Sequence, residues 1–206
     1  MDYLSKKTHS KMSEFTQKWV DVLVPFSSYY SAKLSASQLS KKTKIPQQTI
    51  SRLMNKLVLL NLVNYEKIGK NKLFYFDLKS QKSRILLNII ENQKAMRFQL
   101  EAEDAAIIIN EILNHCESLI VFGSYASGKN KKDSDLDIVI LGKNNKEKIK
   151  KIKQKQIIEV NEHYISYSGF LQKLKSKNPL AIEIMKNHVL FGDVSKIVDI
   201  LLRAKK

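Results

Sequence analysis

Leu119-Ile120-Val121-Phe122-Gly123-Ser124-Tyr125-Ala126-Ser127-Gly128-Lys129-Asn130-Lys131-Lys132-Asp133-Ser134-Asp135-Leu136-Asp137-Ile138-Val139-Ile140 is the stretch on which the reading of this chain turns. Two short apolar runs rich in β-branched residues, 119–122 and 138–141, read as strands, and a polar loop separates them. Gly123-Ser124 follows the first run directly. With no side chain on Gly123, backbone amides at such a turn can approach a phosphate closely. Asp135 and Asp137 are two residues apart at the start of the second run, so strand geometry projects both carboxylates from one face. Adjacent carboxylates repel unless a cation neutralises them, and hard oxygen ligands beside a phosphate site suit Mg²⁺. Two ions so held can activate a hydroxyl and clamp a leaving pyrophosphate.

Either half of the pattern alone would describe a surface turn with capping aspartates. The combination is more specific: Gly-Ser after an apolar strand, ten intervening residues, then Asp-x-Asp leading into a second apolar strand. Downstream, a Lys-rich helix is expected over about 145–156, and Ile157-Ile158-Glu159-Val160 reads as a third strand. Helices follow near 170–176 and 179–187, then a strand at Val189-Leu190-Phe191 and a last amphipathic helix. The alternation of strands and helices predicts an α/β unit.

On these residues, together with the helix-strand-glycine ending at 178–192, the segment 117–192 resembles the minimal nucleotidyltransferases of the DNA polymerase β superfamily. The resemblance implies that Gly123 and Ser124, with Ser134 beside the aspartates, hold nucleotide phosphates, and that Asp135 and Asp137 ligate Mg²⁺. It also implies a third carboxylate on a following strand, for which Glu159 is the candidate and Glu162 the fallback. Many members carry Asp at that position, so the match is weakest there. Lys129, Lys131 and Lys132 are read as a solvated loop as readily as phosphate contacts, and the lysines of 143–155 as a helix's wet face. His163 and His188 lack metal-ligand spacing and read as structural, and Cys116 as a helix-end residue near a junction.

Toward the N-terminus, Phe15, Trp19, Val22, Leu23 and Phe26 recur at helical spacing, with Pro25 as a break. Ser35 or Ser37 can cap a short helix carrying Leu39. Lys44-Ile45-Pro46 reads as a turn, and Pro46 suits the first position of a helix carrying Ile50, Leu53, Met54 and Leu57. Two β-like runs, 62–66 and 73–76, flank a hairpin tip at Ile68-Gly69-Lys70-Asn71. That order is the order of a winged helix-turn-helix, and residues 35–78 resemble the winged helix of MarR- and ArsR-like regulators. In such a motif the second helix enters the DNA major groove. Its outward face here carries Gln48, Ser51, Arg52 and Asn55, with Gln47 at its start, and Lys67, Lys70 and Lys72 surround the wing. Amides and Arg can read base edges, and lysines can meet phosphate.

Residues 81–116 read as helical in one piece or two. One apolar stripe is Ile85, Ile89, Met96 and Leu100, and another is Ala105, Ile108, Ile109 and Ile112; together they suggest a dimerisation element. The expected class is α+β in two domains: a winged helix-turn-helix over 1–80, a helical linker over 81–116, and a small α/β nucleotidyltransferase domain with a mixed sheet over 117–206.

Composition sets outer bounds. Lys and Arg number 36 against 20 Asp and Glu, net +16, which favours a polyanionic partner without naming it; the winged-helix resemblance is what implies double-stranded DNA. Only four of the 36 are Arg, so part of that excess is a general lysine habit. One cysteine excludes an internal disulfide framework and suits a reducing cytoplasm. No run is long and apolar enough for a membrane helix, and the opening MDYLSKKTHSKMSEF lacks a signal peptide's apolar core.

Two functions fit. The first is Mg²⁺-dependent transfer of a nucleoside monophosphate from an NTP, ATP foremost, to a hydroxyl acceptor on a protein, small molecule or nucleic-acid end. The resemblance implies a HEPN-type protein partner in a toxin–antitoxin pair, with the winged helix repressing the shared operon. The second is a homodimeric DNA-binding regulator whose nucleotidyltransferase-like domain senses nucleotide or a partner without turnover. A template-independent polymerase is disfavoured by the short catalytic half.

Overall fold

The computed structural model describes residues 17–204. Phe15 and the opening stretch of the chain lie outside the described residues. Helix α1 (Gln17–Leu23) runs into a 3-10 turn at Val24–Phe26 that contains Pro25. A two-residue strand β1 (Leu34–Ser35) precedes α2 (Ala36–Thr43), whose start is fixed by a capping box. Ser35 Oγ accepts from the Gln38 amide at 3.2 Å, and Gln38 Oε1 accepts from the Ser35 amide at 2.8 Å. Helix α3 (Gln47–Leu59) begins one residue after Pro46, which flanks the helix instead of opening it. Its inner face buries Ile50, Leu53, Met54 and Leu57. Strands β2 (Asn64–Ile68) and β3 (Asn71–Tyr75) form an antiparallel hairpin, and β1 pairs on the far side of β3. Ile68 pairs with Asn71, so the tip is tighter than expected and consists of Gly69 and Lys70.

The helical stretch is two helices, α4 (Gln81–Glu101) and α5 (Glu103–Leu113), broken at Ala102 with φ −126° and ψ 57°. Strand β4 (Cys116–Phe122) runs into a single helical turn, α6 (Gly123–Ala126). Then come β5 (Leu136–Asn144), α7 (Lys146–Lys153), β6 (Val160–Ile165), α8 (Tyr167–Lys175), α9 (Pro179–Lys186), β7 (His188–Gly192) and α10 (Val194–Arg203). The four strands make a mixed sheet in the order β6-β5-β4-β7, with β4 antiparallel to both neighbours and β5 parallel to β6.

Period-two alternation gives the sheet two apolar faces. Leu119, Val121, Ile138 and Ile140 pack under α5 and α7. Ile120, Phe122, Val139 and Leu141 pack under α8, α9 and α10 in an apolar cluster that continues without a gap to Trp19, Phe26, Leu57 and Phe74. The core is therefore continuous from the N-terminal helices to the mixed sheet. A buried polar cluster lies along the same junction. Glu91 of α4 accepts from Tyr30 Oη at 2.8 Å and from Lys94 Nζ at 2.7 Å, and His188 Nε2 of β7 lies 3.2 Å from it.

Several expectations need correcting. Of the two stripes in 81–116, Ala105, Ile108, Ile109 and Ile112 are core beneath the sheet, so that stripe is not a free face. On α4 the buried apolar residues are Leu86, Leu87, Ile90 and Phe98, whereas Ile85, Ile89, Met96 and Leu100 face solvent. Cys116 opens a strand instead of closing a helix, and burial pushes its thiol up to about 11. The third strand starts at Val160, later than expected, because Ile157 is fully exposed and the chain bends through 157–158 before pairing begins.

Candidate active site

Strands β4 and β5 bring the two halves of the motif to one edge of the mixed sheet. Gly123 takes φ +70°, a left-handed backbone that disfavours any side chain. A Cβ built on it would lie 2.5 Å from Asp137 Oδ2, so the turn closes directly onto the carboxylate. Ser124 is half-buried in the same turn, and its carbonyl accepts from Ser127 Oγ at 2.9 Å. In the loop between, Ser134 Oγ accepts from the Lys131 amide at 2.7 Å, bracing the approach to β5. Lys129, Lys131 and Lys132 are exposed.

Asp135 is exposed just before β5, and Asp137 is half-buried inside it. Opposite Asp137, in register on β6, stands Asn161. Its Nδ2 donates to Asp135 Oδ2 at 3.2 Å and to Asp137 Oδ1 at 3.4 Å, so the two carboxylates and one amide form a single group. Burial pushes the Asp137 carboxyl above its usual range; repulsion from Asp135 and from Glu183 on α9 adds to this, while the Asn161 bond and the pull of His163 oppose it. His163 also lies against the Phe122 ring, with 6.1 Å between centroids.

Glu159 makes no hydrogen bond or ion pair with this group, although its backbone runs beside Leu136. It is exposed and precedes β6, its carbonyl accepts from the Leu136 amide at 2.8 Å, and its charge bears on Lys153. Glu162 points away as the ion-pair partner of Lys153. Asn161, His163 and Glu183 are the neighbours that sequence reasoning missed. The parallel register of β6 against β5 identifies Asn161 and His163, and the packing of α9 identifies Glu183; no local pattern carries either. Among the described residues, no three His, Cys, Asp or Glu side chains are grouped to hold a metal ion. Two carboxylates beside an amide supply hard oxygen ligands enough to share one Mg²⁺ with phosphate oxygens.

On the β7 side of the turn, a cavity of about 490 Å³ opens between the N-terminal helices and α6, lined among others by Lys42, Arg97, Ser127, Asn130 and His188. Farther out, Gln47, Gln48, Arg52 and Asn55 are exposed along α3 and Ser51 is half-buried. The hairpin reaches this face: Lys72 Nζ donates to Asn55 Oδ1 at 2.9 Å and sits 4.5 Å from the centre of the Tyr65 ring, while Lys70 stays exposed at the tip.

Residues 108–205 match the family model described as a nucleotidyltransferase domain. The match starts within α5 and takes in the whole mixed sheet, and it supports nucleotidyl transfer as the general chemistry of this half. No curated protein and no solved structure matches the chain. Among the described residues, no helix is long and apolar enough to cross a membrane.

Proposed function

We propose that the C-terminal half binds an NTP, ATP foremost, and transfers its nucleoside monophosphate to a hydroxyl acceptor. The observation that carries this reading is the closure of the Gly123 turn onto Asp137, which sets a phosphate-approachable backbone against a carboxylate pair. Gly123 and Ser124 would take the phosphates, with Ser134 holding the loop beside them. Asp135 and Asp137 would hold a divalent cation such as Mg²⁺, which supplies neutralising charge to the phosphates when bound. Transfer forms a bond from the acceptor oxygen to the α-phosphorus and breaks the bond to the bridging oxygen of the departing pyrophosphate, with the acceptor's proton released to water. The neighbouring cavity offers room for the nucleoside or the acceptor.

In the same reading, α2, α3 and the β2–β3 hairpin form a winged helix for double-stranded DNA. Gln47, Gln48, Ser51, Arg52 and Asn55 face the bases, and Lys70 and Lys72 flank the phosphates. The exposed α4 stripe of Ile85, Ile89, Met96 and Leu100 would join two copies. A HEPN-type protein rests on the sequence resemblance alone as the acceptor.

The test is incubation of the chain, Mg²⁺ and source-cell lysate with NTPs labelled at the α-phosphate, beside the Asp137→Asn protein. A labelled band made only by the unmodified chain is expected. Equal labelling by both proteins would refute the reading. A second reading, nucleotide sensing without transfer, is favoured by one observation: an amide, and no third carboxylate, faces the aspartate pair across β6. Nucleotide binding without any labelled product in a lysate where a control transferase works would select it.

A further inference from the structure

The side chain opposite Asp137 decides how much charge this site can hold. Asn161 is fixed there by the parallel pairing of β5 and β6, and its single Nδ2 reaches both carboxylates. Ionised carboxylates only accept hydrogen bonds, so the amide must present its NH₂ to them. That contact relieves their mutual repulsion without a cation. Turned over, the amide would offer one neutral oxygen. In neither orientation does it add negative charge or take up a proton.

Two divalent ions side by side repel strongly, and paired-ion sites answer with several carboxylates, some of them shared. Here the counted charge is two, from Asp135 and Asp137. Glu162 pairs with Lys153, Glu159 is exposed ahead of β6 with no hydrogen bond or ion pair to the aspartates, and Glu183 acts on Asp137 through space with no hydrogen bond to the pair.

We propose that this is a one-cation nucleotide site, in which Asp135 and Asp137 seat a single divalent ion on the triphosphate and Asn161 keeps a second ion out. This rests on the nucleotide-binding reading above and concerns occupancy, whichever of transfer or sensing follows. Asn161 is a positioning residue: it orients the carboxylates and limits their number.

The test is manganese retained per chain at equilibrium, measured by electron paramagnetic resonance, with an ATP analogue carrying a methylene between the α- and β-phosphorus. The wild-type chain is expected to retain about one ion, and Asn161→Asp about two. Glu183→Gln should leave the wild-type count unchanged. Two ions in the wild type would overturn the proposal, and a fall back to one in Glu183→Gln would assign the extra ligand to α9. One ion in both wild type and a folded Asn161→Asp would overturn the role of residue 161. The wild-type count stands on its own if that variant does not fold. No retained manganese together with no bound analogue would instead sink the nucleotide-binding reading itself.

Discussion

At Gly123, geometry and chemistry meet in one missing methyl group. Gly123→Ala would carry a Cβ to 2.5 Å from Asp137 Oδ2 on a backbone with φ +70°. The left-handed conformation alone costs a residue with a Cβ roughly 1–2 kcal/mol, and relief of the clash displaces the carboxylate. The expected outcome is a lower thermal midpoint together with loss of nucleotide binding, read by calorimetry. A variant that binds nucleotide normally would separate the turn from the site. This much was legible in the sequence, because Gly-Ser and Asp-x-Asp each end or begin an apolar run and strand periodicity does the rest. Residue 161 was not. Ile157-Ile158 has the composition of a strand, yet Ile157 is fully exposed. The start of β6, and with it the residue facing Asp137, is set by pairing to β5.

Tertiary packing also decides which face of helix α4 is buried. Its sequence offers two apolar stripes one residue out of phase, and both satisfy helical spacing. Packing on β7 and α10 selects Leu86, Leu87 and Ile90 and leaves Ile85, Ile89 and Met96 outside. If that outer stripe joins two copies, Ile89→Glu with Met96→Glu should turn a dimer into a monomer in light scattering while thermal stability changes little. A wild-type chain that is monomeric at every concentration would contradict it. Helix α3 and the hairpin make a separate prediction. Lys70→Ala should weaken DNA binding evenly across sequences and flatten its salt dependence by about one ion. Arg52→Ala should cost about 1–3 kcal/mol at particular base pairs. Competition assays at two salt concentrations distinguish the two effects. Strand β1, only two residues long, left no trace in the sequence that could be read.

Across the whole molecule, the feature hardest to foresee is the junction. Tyr30, the Glu91–Lys94 pair of α4 and His188 come from three distant parts of the chain, and no local pattern announces their meeting. Burial works against the Glu91 carboxylate, but Lys94 and His188 beside it prevail and hold it down at about 2, from an ordinary 4.5. Because the folded value lies below the unfolded one, this contribution is complete above pH 4.5 and is lost as pH falls toward 2. Glu91→Ala, which leaves the half-buried Lys94 and the buried His188 without their carboxylate, should cost about 3 kcal/mol. With one apolar cluster running from Trp19 to Leu201, both losses should appear in a single calorimetric transition, and two separate transitions would contradict the continuous core. In the proposed reading, nucleotide binds where the Gly123 turn meets the aspartates. Titration calorimetry of ATP with Mg²⁺, on the wild-type chain and on Asp135→Asn/Asp137→Asn, tests it most directly. Mg²⁺-dependent binding that the double substitution abolishes is the expected result. Unchanged affinity in the substituted protein would place the nucleotide elsewhere and contradict the account.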